Sequence, residues 1–385
     1  MAMQEVAPDV ADIIKEEGGE VLKSCYQCGT CTGTCPWNQV STFLSRRLIH
    51  KAQLGVVDFE DEEVWKCVNC RLCVQVCPRE VEIPDIMQAL RRVVVGVGAG
   101  KVPDSLRNSG KNLAGTGNPL GEPTENRTDW AKDLDIKTCT KGTEWLYYAC
   151  CYQSYDPKCR NVSRAMVDVL KKAGVDFGIL DNEQVCCGEG IRNAGHEDTF
   201  KGLAQKNIEL FNGAEVARVL VTSPHCYTTF KKEYGDLGGN IEVVHATQFL
   251  AELIKEGKLK FSKELNKKVT YHDSCRLGRS WGEEGIYDAP RQVLESIPGV
   301  ELVEMKDTRE LALCCGGGAG GIWQETKKGE RFADVRVEQA LATGAQTLAV
   351  ACPYCMVMFE DSVLSNDQGD VIEVRDIVEL VQEAM

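Results

Sequence analysis

The chain has 385 residues, enough for two to four domains, and 20 of them are cysteines. A formal net charge of -14 argues against nucleic acids and anionic membrane surfaces as partners. The acidic N-terminus lacks the apolar core of a secretory signal, and no stretch approaches the roughly 20 apolar residues that span a bilayer. We therefore expect a cytoplasmic protein with reduced cysteines, since disulfide-rich domains are typically small and exported.

Eight cysteines near the N-terminus form two copies of one spacing, C-x2-C-x2-C-x3-C-P. The first copy contains Cys25, Cys28, Cys31 and Cys35, and the second contains Cys67, Cys70, Cys73 and Cys77. This spacing is typical of a two-cluster bacterial ferredoxin, in which the fourth cysteine of each run binds the other cluster. It predicts two cubane [4Fe–4S] clusters, with the ligand sets Cys25, Cys28, Cys31, Cys77 and Cys67, Cys70, Cys73, Cys35. Zinc also binds C-x2-C pairs, but two identical quartets that each end in Cys-Pro favour electron-carrying clusters.

Helical patterns surround these two runs. Residues 1–20 indicate an acidic helix, residues 40–54 have apolar side chains at helical spacing, and residues 84–95 begin with a proline that a first helical turn tolerates. We therefore predict an α-helical ferredoxin domain over residues 1–100. Residues 101–143 are rich in Gly, Asn, Pro, Thr and Ser, and this composition predicts an irregular connector.

The remaining chain contains an internal repeat, with units at residues 144–262 and 263–385. Each unit opens with a strand and a cysteine, continues to a Cys-Cys-Gly sequence, and ends with a strand followed by a cysteine motif. Predicted strands cover residues 144–149, 175–180, 217–222, 268–272, 301–305 and 347–351. Alternation with helices predicts α/β units with parallel strands, so the fold class is α+β multidomain. The cysteines follow strand ends, where α/β proteins usually present ligands, so several can converge on one site.

The second unit carries five cysteines in these motifs, Cys275, Cys314, Cys315, Cys352 and Cys355. Five thiols exceed what one cubane or one zinc ion needs, and adjacent cysteines suit two irons of an open cluster better than one metal. The glycine-rich run 316–321 would let the backbone approach a bulky inorganic core and donate hydrogen bonds to sulfur. It is not a dinucleotide-binding fingerprint, because it follows a Cys-Cys pair and lacks the distant acidic residue.

The duplicated C-xn-C-C-G-xn-C-P-x-C pattern after an eight-cysteine region resembles the heterodisulfide reductase D-type iron–sulfur proteins with cysteine-rich CCG domains. The sequences SYDP (154–157), YHDSC (271–275), YDAPR (287–291) and ACPYC (351–355) carry the same resemblance over nearly the whole chain. The resemblance implies a noncubane [4Fe–4S] cluster bound by the five cysteines of the second unit. It also implies that these cysteines are the catalytic set, where a disulfide is split in two one-electron steps.

The first unit departs from this pattern, because Ser223 stands where the first cysteine of C-P-x-C is expected. Cys151, Cys186, Cys187 and Cys226 remain as candidate cofactor ligands, and Cys150 occupies a position where the family usually has glycine. This site could hold a cubane, zinc, a modified noncubane cluster with Ser223 or Cys150 as a ligand, or nothing. Cys139 and Cys159 fit no motif and are expected to be free thiols.

Three polar residues lie beside the motif cysteines. His225 and His272 are expected to hydrogen-bond cluster sulfur or to orient a loop, and His272 or Asp273 could donate a proton to a thiolate product.

Two functions compete for this sequence. In the first, the chain is a heterodisulfide reductase-like oxidoreductase subunit that acts on a small thiol or disulfide, or on a protein disulfide. In the second, it relays electrons between a flavin dehydrogenase or electron-transfer flavoprotein and a membrane cytochrome b or quinone. Either way we expect redox subunits as partners, because no flavin or nicotinamide motif is visible, and any membrane association would come through a partner. A zinc scaffold would not need the crossover spacing, and we favour the first function.

Overall fold

The computed structural model describes residues 8–98 and 100–385 of the chain. A helical N-terminal unit is followed by a connecting segment and two small α/β units, which confirms the predicted fold class. Of the acidic helix predicted over residues 1–20, residues 1–7 lie outside the described part. The rest forms the helix Pro8–Ile14, a π-helical turn Lys15–Gly19 and a 3-10 turn Glu20–Ser24.

The N-terminal unit is built around two helices, Ser45–Leu54 and Ile83–Val97, and both end at a glycine in the left-handed region, Gly55 and Gly98. The apolar side of each faces a common core. The short helices of this unit are Thr30–Thr34, Trp37–Val40, Glu63–Lys66 and Leu72–Gln75. Thr30–Thr34 and Leu72–Gln75 lie within the two cysteine runs and contact each other, so the runs lie side by side.

The connecting segment is more ordered than its composition predicts. Residues Asp104–Thr116 form a 13-residue helix, and 3-10 turns follow at Thr124–Asn126 and Asp129–Ala131. Its Asn, Ser and Gly residues disfavour an isolated helix, so tertiary packing must stabilise it. Leu106 and Leu113 are buried, and a Cβ at Gly110 would lie only 3.5 Å from His196. The predicted irregular connector is therefore wrong for this stretch.

Each α/β unit contains one four-stranded parallel sheet. The strands of the first sheet are β1 (Trp145–Tyr147), β2 (Phe177–Gly178), β3 (Arg218–Val221) and β4 (Glu242–His245). Those of the second are β5 (Lys267–Tyr271), β6 (Val300–Leu302), β7 (Thr347–Val350) and β8 (Glu373–Asp376). The orders β2-β1-β3-β4 and β6-β5-β7-β8 are the same, so the two units have a common topology. The edge strands β4 and β8 were not predicted.

Helices cover the sheets in both units. Those of the first unit are Cys151–Tyr155, Cys159–Lys172, Glu189–Asn193, Glu197–Gly213, Pro224–Lys232 and Ala246–Lys255. Those of the second are Asp288–Ser296, Phe332–Leu341, Pro353–Ser365 and Ile377–Ala384. The last helix of each unit begins with a capping box, at His245 and at Asp376. Within the described part of the chain, no helix has both the length and the apolar character needed to cross a membrane.

The strand topology brings the cysteine motifs to one edge of each sheet. Parallel strands share the edge at which their carboxyl ends lie. Cys150 and Cys151 closely follow β1, and Ser223 closely follows β3. In the second unit Cys275 follows β5 and Cys352 follows β7. Each unit therefore presents its motifs at the carboxyl end of its central strands.

Candidate functional site

Two small cavities in the N-terminal unit are lined by the predicted cysteine quartets. Cys25, Cys28, Cys31 and Cys77 line one, and Cys35, Cys67, Cys70 and Cys73 line the other, which Cys31 also reaches. The fourth cysteine of each run therefore lies with the first three of the opposite run. Cavities bordered by four thiols fit the prediction of one cubane in each.

The backbone of these runs turns toward the sulfur atoms. The amide of Asn69 donates to Cys67 Sγ at 3.4 Å, and the amide of Val81 donates to Cys77 Sγ at 3.3 Å. Gln27, Asn69 and Arg71 have positive φ angles of 68°, 52° and 62°. Such conformations are costly for non-glycine residues and are kept where the surroundings require them. Here they shape tight loops around each cavity.

The five motif cysteines of the second unit are buried and form one continuous row. The row runs Cys275, Cys314, Cys315, Cys355, Cys352, with each thiol next to the following one. The Sγ atoms of Cys315 and Cys355 are 3.4 Å apart. The end of β5, the loop after β6 and the end of β7 supply these residues, so the structure brings together all five. Among the described residues, no three His, Cys, Asp or Glu side chains have the arrangement of a single-metal site.

The row of five cysteines continues toward the N-terminal unit. Cys70 lies next to Cys314, and this contact lowers the pKa of Cys70 to about 6, although burial opposes the shift. Arg279 is buried beside the pair, and its Nε donates to the Cys70 carbonyl at 2.7 Å while Nη1 donates to the Ala312 carbonyl at 2.7 Å. One guanidinium thus connects the second cysteine run to the second α/β unit.

Buried nitrogen atoms near these cysteines have no protein partner among the described residues, namely Nη2 of Arg279 and Nε of Arg276. Burial alone would lower the pKa of Arg279, but the negative charges available at Cys70, Cys275 and Cys314 raise it above its ordinary value. A buried, unpartnered N–H group is costly unless an acceptor is bound. The arrangement therefore fits an anionic, sulfur-rich group held by the five cysteines.

The glycine-rich run packs tightly against the second cysteine run. A Cβ at Gly318 would lie 2.3 Å from the Val68 carbonyl oxygen, and one at Gly321 would lie 2.2 Å from the Gly316 oxygen. Gly316 has a φ of 94°, and its amide donates to Cys314 Sγ at 3.3 Å. Only glycine fits these positions, and the amide of Gly316 points at a cysteine sulfur.

The first unit brings together its four predicted thiols in the same manner, in the row Cys151, Cys186, Cys187, Cys226. Ser223 and Cys150 are buried nearby, and burial raises the pKa of Cys150 to about 12. Arg127, from the connecting segment, donates to Cys151 Sγ at 3.3 Å and to the Ala149 carbonyl at 3.1 Å. Sequence reasoning missed Arg127 and Arg279, because no local motif marks either residue.

His272 and Asp273, the polar residues beside the second-unit cysteines, have different partners and different pKa shifts. His272 accepts a hydrogen bond at Nδ1 from Arg336 at 3.2 Å, and burial, with the Arg336 charge, lowers its pKa to about 3. Asp273 forms a bidentate ion pair with Arg291 at 2.8 and 2.9 Å. Burial opposes ionisation, but this pair outweighs it and lowers the pKa of Asp273. Asp273 is therefore an anion, and the predicted proton-donor role does not suit it.

His225 contacts residues of both α/β units. Its Nδ1 is 2.9 Å from Glu189 of its own unit, and Cys352 of the second unit lies against the same ring. Burial would lower the pKa of His225, but the Glu189 carboxylate and Cys352 raise it to about 10. Cys159 is buried with Sγ 3.9 Å from the Pro353 carbonyl, and both Cys159 and Cys139 are free thiols outside the rows.

Known protein families match all three units of the fold. The family described as "4Fe-4S dicluster domain" matches residues 21–81, and the family described as "Cysteine-rich domain" matches twice, over residues 145–231 and 269–360. These matches support iron–sulfur clusters as the cofactors.

Curated relatives extend the similarity over most of the chain. The "EtfAB:quinone oxidoreductase" of Syntrophomonas wolfei is 37% identical over 84% of this chain and 47% of its own length. The "Probable iron-sulfur-binding oxidoreductase FadF" of Bacillus subtilis is also 37% identical with the same two shares, so the chain spans about half the length of these two relatives. The D-type component of the "Dihydromethanophenazine:CoB--CoM heterodisulfide reductase" of Methanosarcina mazei is 32% identical over 94% of both chains. The chain therefore belongs to the family of heterodisulfide reductase D-type iron–sulfur oxidoreductases.

Proposed function

We propose that this chain is the iron–sulfur subunit of a redox complex that carries electrons to a disulfide or thiol substrate. In this proposal the N-terminal unit holds two cubane [4Fe–4S] clusters, and the five cysteines of the second α/β unit hold a noncubane [4Fe–4S] cluster. Such clusters, when bound, supply one-electron oxidation and reduction. The observation that carries the proposal is the contact between Cys70 and Cys314, which joins a predicted cubane ligand to the row of five cysteines.

The contact between Cys70 and Cys314 and the residues around it form a junction, which would hold the two proposed ligand sets at a fixed separation. Arg279 donates to carbonyl groups on both sides of the junction. Gly318 and Val68 pack so closely that no side chain fits between the loops. A buried guanidinium also offsets the negative charge that thiolate ligands accumulate. This packing would keep the two proposed redox sites adjacent.

A solvent-filled groove of about 610 Å³ supplies an approach for a small substrate. Its lining includes Val68 and Gly316, which flank the junction, and the side chains of Trp37, Phe332 and Met358. Gly316 directly follows Cys314 and Cys315, so a molecule in the groove would lie against the chain that carries these thiols. Reduction of one disulfide consumes two electrons and two protons and yields two thiols, and partner subunits must supply the electrons one at a time. A flavoprotein, a membrane cytochrome b, or both would be suitable partners.

Spectroscopy on anaerobically purified protein tests the proposal. Iron and zinc are quantified, and the EPR spectrum is followed from the reduced to the oxidised state before and after addition of small thiols. We expect about twelve iron atoms per chain from these three clusters, and an oxidation-dependent signal that responds to thiol and disappears in Cys315→Ser. If only reduced-state signals that ignore thiols were observed, the disulfide chemistry would be excluded.

A second candidate function is electron relay from an electron-transfer flavoprotein to quinone. It is favoured by the 37% identity to the "EtfAB:quinone oxidoreductase", which exceeds the 32% identity to the heterodisulfide reductase component. The same preparation distinguishes the two candidates. A relay would reduce a quinone analogue, together with its membrane partner, at a rate that thiols do not change.

A further inference from the structure

The two cysteine-lined cavities of the N-terminal unit differ in how close they lie to the molecular surface. In the first cavity Cys28 is exposed, and the side chain of Tyr26 beside it is 59% exposed. None of the four cysteines that line the second cavity is exposed, and Cys70 is buried. The first cavity is therefore the one of the two that another protein can approach closely.

The two cavities lie one after the other between this surface and the second α/β unit. Cys31 and Ile83 line both cavities, so the cavities are adjacent. Cys70 lines the second cavity, and its carbonyl accepts a hydrogen bond from Arg279 of the second α/β unit at 2.7 Å. An electron that enters at the first cavity would thus have a short path through the second cavity to the five cysteines of the second unit.

The rim of the first cavity carries positive charge on a chain whose formal net charge is -14. Arg46 and Arg79 are exposed and line the cavity, and no Asp or Glu among the described residues lines it. Arg46 lies against the cysteine loop, since a Cβ at Gly29 would be 3.4 Å from Arg46 Cδ. Within the described part of the chain neither guanidinium has a carboxylate within 4.0 Å, whereas the adjacent Arg47 pairs with Glu63.

We call the exposed residues Tyr26, Cys28, Arg46 and Arg79 the rim surface. Exposed charges contribute little to the stability of a fold, but they accelerate the association of oppositely charged proteins by roughly 10- to 1,000-fold. An exposed tyrosine is a residue type that is enriched in protein interfaces. The rim surface therefore has the charge and the apolar contact that an acidic protein partner requires.

We propose that the rim surface is the docking site of an acidic electron-carrier protein. The inference rests on the proposed function in one respect, the assignment of a cubane to the first cavity. Carboxylates around the redox centre of the carrier pair with Arg46 and Arg79, and Tyr26 supplies apolar contact. The carrier is oxidised by one electron for each electron that this chain gains, and no covalent bond forms or breaks.

The test measures the rate at which a reduced, acidic protein transfers electrons to the full-length, cluster-loaded chain in stopped-flow experiments. The probe is a plant-type [2Fe–2S] ferredoxin of strong net negative charge. We expect Arg46→Glu together with Arg79→Glu to lower the second-order rate constant on the order of tenfold at about 0.01 M ionic strength. The difference should disappear at about 1 M ionic strength, where charges are screened.

A matched control changes the same amount of charge elsewhere. Lys260 and Lys263 are exposed, and the backbone of Lys263 contacts Ala384 at the C-terminal helix. Lys260→Glu together with Lys263→Glu should leave the rate constant within about twofold of the wild-type value, because these lysines lie outside the rim surface. Reduced methyl viologen, a small cation, serves as a second reductant that needs no basic docking site.

An unchanged rate constant in the arginine variant would overturn the inference, and so would an equal decrease in the lysine variant. Equal slowing with methyl viologen would also overturn it, because the arginines would then act on the redox centre itself. If the arginine variant loses iron, Arg46→Gln together with Arg79→Gln is measured instead, and a smaller decrease is required. The proposed function fails separately: a wild-type protein that accepts electrons from ferredoxin but has no Cys315-dependent signal would exclude the disulfide chemistry and retain the docking site.

Discussion

The first and second α/β units have the same strand order, yet they relate differently to the N-terminal unit. Both keep a row of thiols and a buried arginine, Arg127 beside Cys151 and Arg279 beside Cys275 and Cys314. The second row contacts Cys70, whereas the first unit contacts the same cysteine run through the side chain of Asn193, which accepts a hydrogen bond from Asn69. The first unit thus keeps the strand order and the buried arginine although Ser223 replaces one motif cysteine. The contact with Cys70 is the feature that distinguishes the second unit from the first.

Arg91 shows how the N-terminal unit is held against the first α/β unit. Its guanidinium is buried and donates to the carbonyls of Val64, Cys67 and Asn193. The Arg91 side chain therefore links the second cysteine run to the first unit through the carbonyls of Cys67 and Asn193.

The largest expected effect comes from removing a thiol at the centre of the second row. Cys315→Ser interrupts the contacts to Cys314 and Cys355. It should remove about four iron atoms, because it should abolish the second-unit centre, the noncubane cluster that we propose for the five cysteines of the second unit. We expect disulfide-reducing activity to fall by roughly 100-fold or more. Iron analysis, EPR and a disulfide-reduction assay measure the outcome.

The equivalent first-unit variant, Cys187→Ser, is the matched control for this loss. It occupies the same place in its row but lies away from the junction, so the thiol-responsive signal should survive. Equal losses in the two variants would show that the units act as a single site, and the comparison would fail. Circular dichroism on both proteins establishes that the fold is retained.

The next effect concerns the two buried arginines. Arg279→Met leaves the carbonyls of Cys70, Glu310 and Ala312 without their donor, which should destabilise the protein by roughly 2–5 kcal/mol. It should also slow reduction of the second-unit centre, because the junction loosens. Thermal unfolding and rapid-mixing reduction kinetics measure the two effects.

Arg127→Met provides the counterpart in the first unit. It removes the contact to Cys151 and should lower the thermal midpoint, but it should leave the rate at which the second-unit centre is reduced unchanged. A slowed rate in Arg127→Met would mean that electrons also pass through the first unit.

Ser223→Cys should restore the fifth thiol of the first row. Ser223 is buried at the start of its helix, in the position that Cys352 occupies in the second unit, so a thiol is sterically similar there. We expect a second oxidation-dependent EPR signal in addition to the first. If the spectrum and iron content do not change, the difference between the units lies in more than the missing cysteine.

Local patterns in the sequence predicted much of the fold and the candidate ligands. The central strands β1, β3, β5 and β7 are each followed by a cysteine motif, and β1, β3 and β7 consist mostly of apolar residues, so the sequence predicts them. The edge strands β4 (Glu-Val-Val-His) and β8 (Glu-Val-Arg-Asp) have few apolar residues and end in a helix cap. Such short, half-polar segments do not differ from loops in sequence, and only their pairing in the sheet identifies them.

The connections between units could not be predicted, because they depend on residues far apart in the chain. Arg279 and Cys70 are separated by 209 positions, and Asn69 and Asn193 by 124. His225 was recognised as a neighbour of cysteines, but its own motif suggests Cys226 as the partner, whereas the structure adds Cys352. The helix Asp104–Thr116 could not be predicted for the same reason, because it depends on contacts with distant residues. The burial of Leu106 and Leu113 outweighs the low helix propensity of the segment.

The smallest expected effect comes from a substitution that tests whether a small disulfide reaches the second unit through the groove. Met358 lines the groove and lies close to Gly316, so Met358→Trp should narrow the space beside Cys315 without touching a thiol. We expect the KM for a small disulfide to rise on the order of tenfold, while the potentials of all centres stay the same. Steady-state kinetics and redox titration separate the two readouts. An unchanged KM would exclude the groove as the route to the second unit and would leave the interface of the two α/β units as the alternative.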